Sequence, residues 1–105
     1  MMFDIAVILI NYNSSEYTIN CIRSIIEKTT NNLNYQIIIT DNCSEKEDYL
    51  KLKSFCDELN FPNLELHRSR INTGFGGGNM FGVQFANAKY LAFIKRWIVC
   101  CSHPN

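Results

Sequence analysis

Ile5-Ala-Val-Ile-Leu-Ile10, followed at once by Asn11-Tyr12-Asn13-Ser14-Ser15, is the stretch on which the fold turns. A short, nearly continuous run of branched apolar residues that stops at a polar cluster has the pattern of a strand buried on both faces, as at the centre of a parallel sheet. Ser14 or Ser15 can cap a following helix. In that helix Ile19, Ile22, Ile25 and Ile26 form an apolar stripe at helical spacing, through about Lys28. The Asn-rich stretch 29–34 stops it.

The same sentence of elements then repeats. Tyr35 to Ile39 is a second apolar run closed by Thr40-Asp41-Asn42, and Tyr49, Leu52, Cys56 and Leu59 recur at helical spacing after it. Phe61-Pro62-Asn63 breaks the chain, Leu64 to His67 predicts a short third strand, and the glycine-rich residues 72–78 lead into a helix through Ala88. Tyr90 to Ile94 is the fourth strand. Strands alternating with helices at this spacing predict an α/β fold: an open, mostly parallel sheet with helices on both faces, joined by right-handed crossovers. Ligands of such sheets bind at the carboxyl ends of the strands. The polar clusters Asn11 to Asn13, Asp41-Asn42 and Arg68 to Gly78 all fall at that edge.

Bulk properties narrow the function. The 105 residues make one domain at most, and 47% hydrophobic against 19% charged residues is a globular composition. Ten Lys and Arg balance ten Asp and Glu, so there is no basic field to attract nucleic acid or an anionic membrane. Five cysteines, odd in number and without a C-x-x-C pair, read as reduced thiols rather than a disulfide framework. The first apolar run is too short for a signal segment or a membrane span, so a cytoplasmic protein without an integral membrane segment is expected.

Three segments carry chemistry. Asp41 stands at a strand end, where a carboxylate can accept from a base imide or ribose hydroxyls; position alone equally allows a turn or helix cap. Tyr12 between Asn11 and Asn13 can flank a planar base, although Asn-rich turns after strands also arise for backbone reasons. Asn72-Thr-Gly-Phe-Gly-Gly-Gly-Asn79 lets backbone approach a ligand and amides point at an anion near a helix start, or merely makes a turn that needs positive φ. The stretch is not a dinucleotide fingerprint, since Asn79 stands where the third glycine belongs, and no Gly-Lys-Ser/Thr of a Walker loop follows. His67 and His103 lack metal-ligand spacing, and the acidic run Glu45 to Asp48 reads as a helix N-terminus.

Taken in order, I-L-I-N-Y-N-S-S-E-Y at 8–17, I-I-I-T-D-N-C-S at 37–44 and N-T-G-F-G-G-G-N-M-F-G at 72–82 resemble the inverting family 2 (GT-A type) glycosyltransferases, and within them the rhamnosyltransferase-like subset. The resemblance covers residues 3–94 and implies the Rossmann-like, nucleotide-binding half of that fold. It implies that Asn11, Tyr12 and Asn13 line the nucleotide base, that Asp41 binds base or ribose, and that Asn72, Gly74, Gly77, Gly78 and Asn79 shape the nucleotide-sugar pocket. The implied reaction is sugar transfer from a UDP- or dTDP-type donor to an acceptor hydroxyl with inversion, in cell-surface polysaccharide synthesis. It also implies Mg or Mn at the leaving diphosphate and a carboxylate base.

The chain departs from the family after the fourth strand. Where the resemblance calls for Asn and a D-x-D-like carboxylate cluster, the sequence reads Ile94-Lys-Arg-Trp-Ile-Val-Cys-Cys101 and ends at Asn105. The expected organisation is therefore a nucleotide-sugar-binding region over residues 1–94 and a divergent tail over 95–105, with no catalytic residue and no metal ligand assigned. The tail is either a genuine divergent terminus or the product of a frameshift near codon 95, which codon degeneracy permits: a coding stretch AAA-CGA-TGG-ATN for Lys95 to Ile98, read one base forward, gives Asn-Asp-Gly. The expectation is a truncated transferase lacking its acceptor half. The rival reading is a non-catalytic nucleotide-binding or interaction module of unrelated α/β fold.

Overall fold

The computed structural model describes residues 2–29 and 32–94. Four strands, β1 (Phe3–Asn11), β2 (Tyr35–Asp41), β3 (Leu64–Arg68) and β4 (Ala88–Phe93), form one parallel sheet in the order β3-β2-β1-β4. Helices α1 (Ser15–Lys28), α2 (Lys46–Leu59) and α3 (Gly74–Val83) connect them in turn. The expected α/β architecture is present, with the isoleucine-rich β1 and β2 at its centre. Leu9, Ile37 and Ile39 pack with Ile19 and Ile22 of α1 and Leu52 and Cys56 of α2 on one face. Ala6, Ile8 and Ile38 meet the end of α3 and its following turn, at Phe85 and Ala86, on the other.

Burial on both faces explains the unbroken apolar runs. Ile8, Ile37, Ile38 and Ile39 have no exposed surface at all. Each contributes about 1.5–3 kcal/mol of transfer free energy, so the central pair of strands carries much of the stability. The outer strand β4 differs: Tyr90, Leu91 and Phe93 remain 70%, 42% and 46% exposed.

Two local expectations are corrected. The third helix starts at Gly74 and ends at Val83, so the glycines form its first turns instead of a loop before it, and Ala88 already belongs to β4. Only Gly74 among the glycines has positive φ, at 78°. Gly77, Gly78 and Gly82 are required by packing, whereas Gly76 has open space around it. A Cβ on Gly77 would collide with the Thr73 side chain, one on Gly78 would lie 2.9 Å from Ile10 Cδ1, and one on Gly82 3.0 Å from Thr40 Oγ1. The absent side chains let α3 settle closely onto β1 and β2. Cys43 and Cys56 are free thiols. Burial pushes the Cys56 thiol up to about 11. The tail 95–105, and with it the frameshift reading, lies outside the described residues.

Candidate functional site

The carboxyl edge of the sheet gathers all three sequence segments, and side-chain hydrogen bonds lock them together. Asp41, at the end of β2, accepts from Asn11 Nδ2 at 2.9 Å on Oδ1, and from the Ser44 amide at 3.1 Å and Arg68 Nη1 at 3.3 Å on Oδ2. Arg68 also donates to the Ser44 carbonyl at 2.8 Å and lies 4.4 Å over the Tyr49 ring. Asn11 Nδ2 reaches Asp48 at 3.0 Å as well, and its Oδ1 accepts from Thr18 Oγ1 at 2.6 Å.

This network changes how two predicted residues act. Asn11 and Asp41 are both fully enclosed, with no exposed surface, so neither meets a ligand directly in this conformation. Their polar groups are needed to satisfy one another, because an unpaired buried carboxylate or amide is expensive. They are the frame beneath the edge. Tyr12, the next residue, is 47% exposed and presents its ring at the surface.

The loops after β1 and β2 cap each other's helices. Neither Ser14 nor Glu45, the N-cap residues, makes a side-chain cap bond of its own. Instead Asp48 of α2 accepts from the Ser15 amide of α1 at 3.0 Å, while Asn13 Oδ1 accepts from the Glu45 amide ahead of α2 at 2.7 Å. Each satisfies an orphan helix-start donor from across the edge. Burial alone would raise the Asp48 carboxyl, but hydrogen bonds from Ser15 and Asn11 and the charge of Lys51 outweigh it and hold it below the ordinary aspartate value. The expectation that Ser14 or Ser15 caps α1 is thus replaced by a long-range cap. Asn13 adopts φ 49°, a left-handed turn that Asn tolerates.

The glycine segment is tied in by Asn42. Its Nδ2 donates to Asn72 Oδ1 at 3.2 Å and to the Gly74 carbonyl at 3.0 Å, and its Oδ1 accepts from the Thr73 amide at 3.1 Å. Asn72 Oδ1 in turn accepts from the Gly74 amide at 2.8 Å. Asn79 is buried beside this turn. Sequence reasoning put Asn42 and Arg68 at this edge without giving them a role, and missed Ser44 and Asp48 as members of the site. Their only local signal was adjacency to a strand end or helix start, which many structural residues share.

These residues do not fit a divalent cation. Among the described residues no three Asp, Glu, His or Cys side chains come together. Asp41 and Asp48, the carboxylates in the network, already accept hydrogen bonds from Asn11, Ser44, Arg68 and Ser15, which leaves too few free oxygens for a hard cation. The position at which the family resemblance puts metal-binding carboxylates falls in 95–105, outside the described residues.

A parallel sheet with helices on both faces, whose polar strand-end segments meet along one edge, makes this chain a Rossmann-like α/β unit, and ligands of such sheets bind along that edge. Residues 6–95 match the family described as Glycosyl transferase family 2, and the chain belongs to that family. It is 26% identical over 92 residues to the minor teichoic acid biosynthesis protein GgaB of Bacillus subtilis (strain 168), covering 88% of this chain and 10% of that protein. Its fold superposes on S. aureus TarS 1-349 with a TM-score of 0.72 at 19% identity, over 89% of this chain and 27% of that one. The UDP complex of TarS 1-349 gives the same TM-score at 20% identity, over 87% and 26%. The chain therefore spans about a tenth of the curated relative and about a quarter of the solved ones. No helix among the described residues is long and apolar enough to cross a membrane.

Proposed function

We propose that this chain forms the donor-nucleotide half of a sugar transferase, and that its carboxyl edge holds the nucleotide of a UDP- or dTDP-type sugar. The observation that carries the reading is the single hydrogen-bonded frame in which Asp41, Asn11 and Arg68 fix the first two segments and Asn42 fixes the third. Three polar segments from remote parts of the chain are held at the ligand-binding edge, with an exposed aromatic ring beside them. Tyr12 stacks on the base, Asn13 and Asn72 border the ribose, and the Gly74 to Asn79 turn approaches the diphosphate and sugar. A UDP complex of a protein with this fold supports a uridine nucleotide as first choice.

The whole transferase moves the sugar to an acceptor hydroxyl with inversion at the anomeric carbon. The acceptor oxygen forms its bond to that carbon as the bond to the diphosphate oxygen breaks, and a base takes the hydroxyl proton. None of the described residues is assigned as that base. The name of the Bacillus subtilis relative, a minor teichoic acid biosynthesis protein, favours a cell-surface polysaccharide as product, and the cytoplasm is the proposed place of work.

Isothermal titration of the purified chain with UDP and dTDP, with and without Mn²⁺, tests the reading. Binding of either nucleotide, insensitive to Mn²⁺ and weakened about tenfold by Tyr12→Ala through lost stacking, is the expected result. A folded sample that binds neither nucleotide removes the donor-site reading.

A further inference from the structure

Asn79 differs from the other polar residues of this edge. It is 8% exposed, and its Oδ1 is one of two buried side-chain oxygens among the described residues with no hydrogen-bond partner. The other, Thr40 Oγ1, is shut in beneath Gly82, in the contact between α3 and the sheet.

The place of Asn79 follows from helix geometry. Gly78 and Gly82 seat α3 over β1 and β2, while Phe85, just past its end, stacks on His67 of β3 at 3.6 Å. At about 100° per residue, Asn79 comes round on the opposite flank, the one toward β4. There the sheet changes direction. The chain leaves β1 for β2 on one side of it, and later reaches β4 on its other side. Crevices of open α/β sheets lie outside the carboxyl ends at such a reversal.

An amide oxygen only accepts. It repels phosphate and welcomes a donor, and a buried acceptor left without one weakens the fold unless a bound group completes it. Resting on the donor-site reading above, we propose that Asn79 Oδ1 accepts a hydrogen bond from a carbohydrate hydroxyl of the donor. It is thereby the residue of the glycine segment that recognises the ligand chemically, while Gly77, Gly78 and Gly82 serve packing. The hydroxyl belongs either to the ribose or to the transferred sugar, and ligand pairs separate the two.

The experiment titrates the wild-type chain, Asn79→Leu and Asn79→Ala with UDP, 2′-deoxy-UDP and UDP-glucose, and records each protein's thermal melt. Both variants are expected to melt at or above the wild type, since they remove an unpaired acceptor. A loss of about tenfold for UDP assigns a ribose hydroxyl, the 2′ one where the loss is absent with 2′-deoxy-UDP and the 3′ one where it persists there; a similar loss confined to UDP-glucose assigns the sugar. If the wild type binds UDP and both variants bind all three ligands as it does, the inference falls and the donor site stands. The inference also falls if both variants melt well below the wild type, because Oδ1 would then have a structural partner. Should the wild type bind none of the three, both readings fall.

Discussion

Asn11→Asp replaces one NH₂ group by one oxygen and leaves shape untouched, so it isolates the electrostatics of the frame. In the native fold that NH₂ faces Asp41 Oδ1 at 2.9 Å and Asp48 Oδ2 at 3.0 Å. The variant puts a third carboxylate between two others in a site where Asp41 has no exposed surface. Like charges about 4 Å apart repel by about 4 kcal/mol at an effective dielectric constant of about 20. The alternative is to keep one carboxyl protonated. At pH 7 that is about three units above the ordinary aspartate value, which at 1.36 kcal/mol per unit again costs about 4 kcal/mol. At pH 5 the same proton costs only about 1.5 kcal/mol. The sign follows: between about pH 4 and pH 7 the folded variant holds more protons than its unfolded chain, so its stability relative to wild type declines as pH rises. Urea unfolding followed by circular dichroism at pH 7 and pH 5 measures the difference, with Asn20→Asp on the exposed side of α1 as the surface control. A variant whose loss is equal at the two pH values, or below about 1 kcal/mol at pH 7, would refute the idea that Asn11 is the donor holding these carboxylates together.

The remaining expectations are smaller. Asp48→Asn weakens the long-range cap on α1 and costs about 1 kcal/mol at neutral pH. Because hydrogen bonds hold the Asp48 carboxyl below the ordinary aspartate value, the wild type's advantage is full above that ordinary value and closes as pH falls through the lowered one, which acid unfolding curves of the two proteins will show. Gly82→Ala pushes a methyl to 3.0 Å from Thr40 Oγ1 and 3.1 Å from Ile8 Cγ2, and lifts α3 at a cost of about 1–3 kcal/mol. Gly76→Ala meets open space on the same helix and stabilises by up to about 1 kcal/mol, so thermal melts that rank the two alike would contradict the packing account of these glycines.

How far the sequence reaches can be judged residue by residue. The isoleucine runs of β1 and β2, the stripe of α1 and the polar breaks after each strand are local patterns. They place the elements, predict a parallel sheet and point to the edge where Tyr12, Asp41 and Asn72 lie, because hydrophobic periodicity is set by neighbours a few positions away. Tertiary structure alone decided the rest. Nothing near Asn11 says that its partner is Asp48, 37 positions on, or that Asn42 reaches 30 positions on to Asn72. Nothing in three glycines says whether they face a ligand or the chain itself; Gly78 is needed because Ile10 lies beneath it. Burial turned Asn11 and Asp41 from candidate ligand contacts into a frame, and left Asn79 with an unpaired oxygen. Local sequence specifies which groups are polar, but a buried polar group must find its partner in space, and only the folded chain determines which groups are paired and which are left for a ligand.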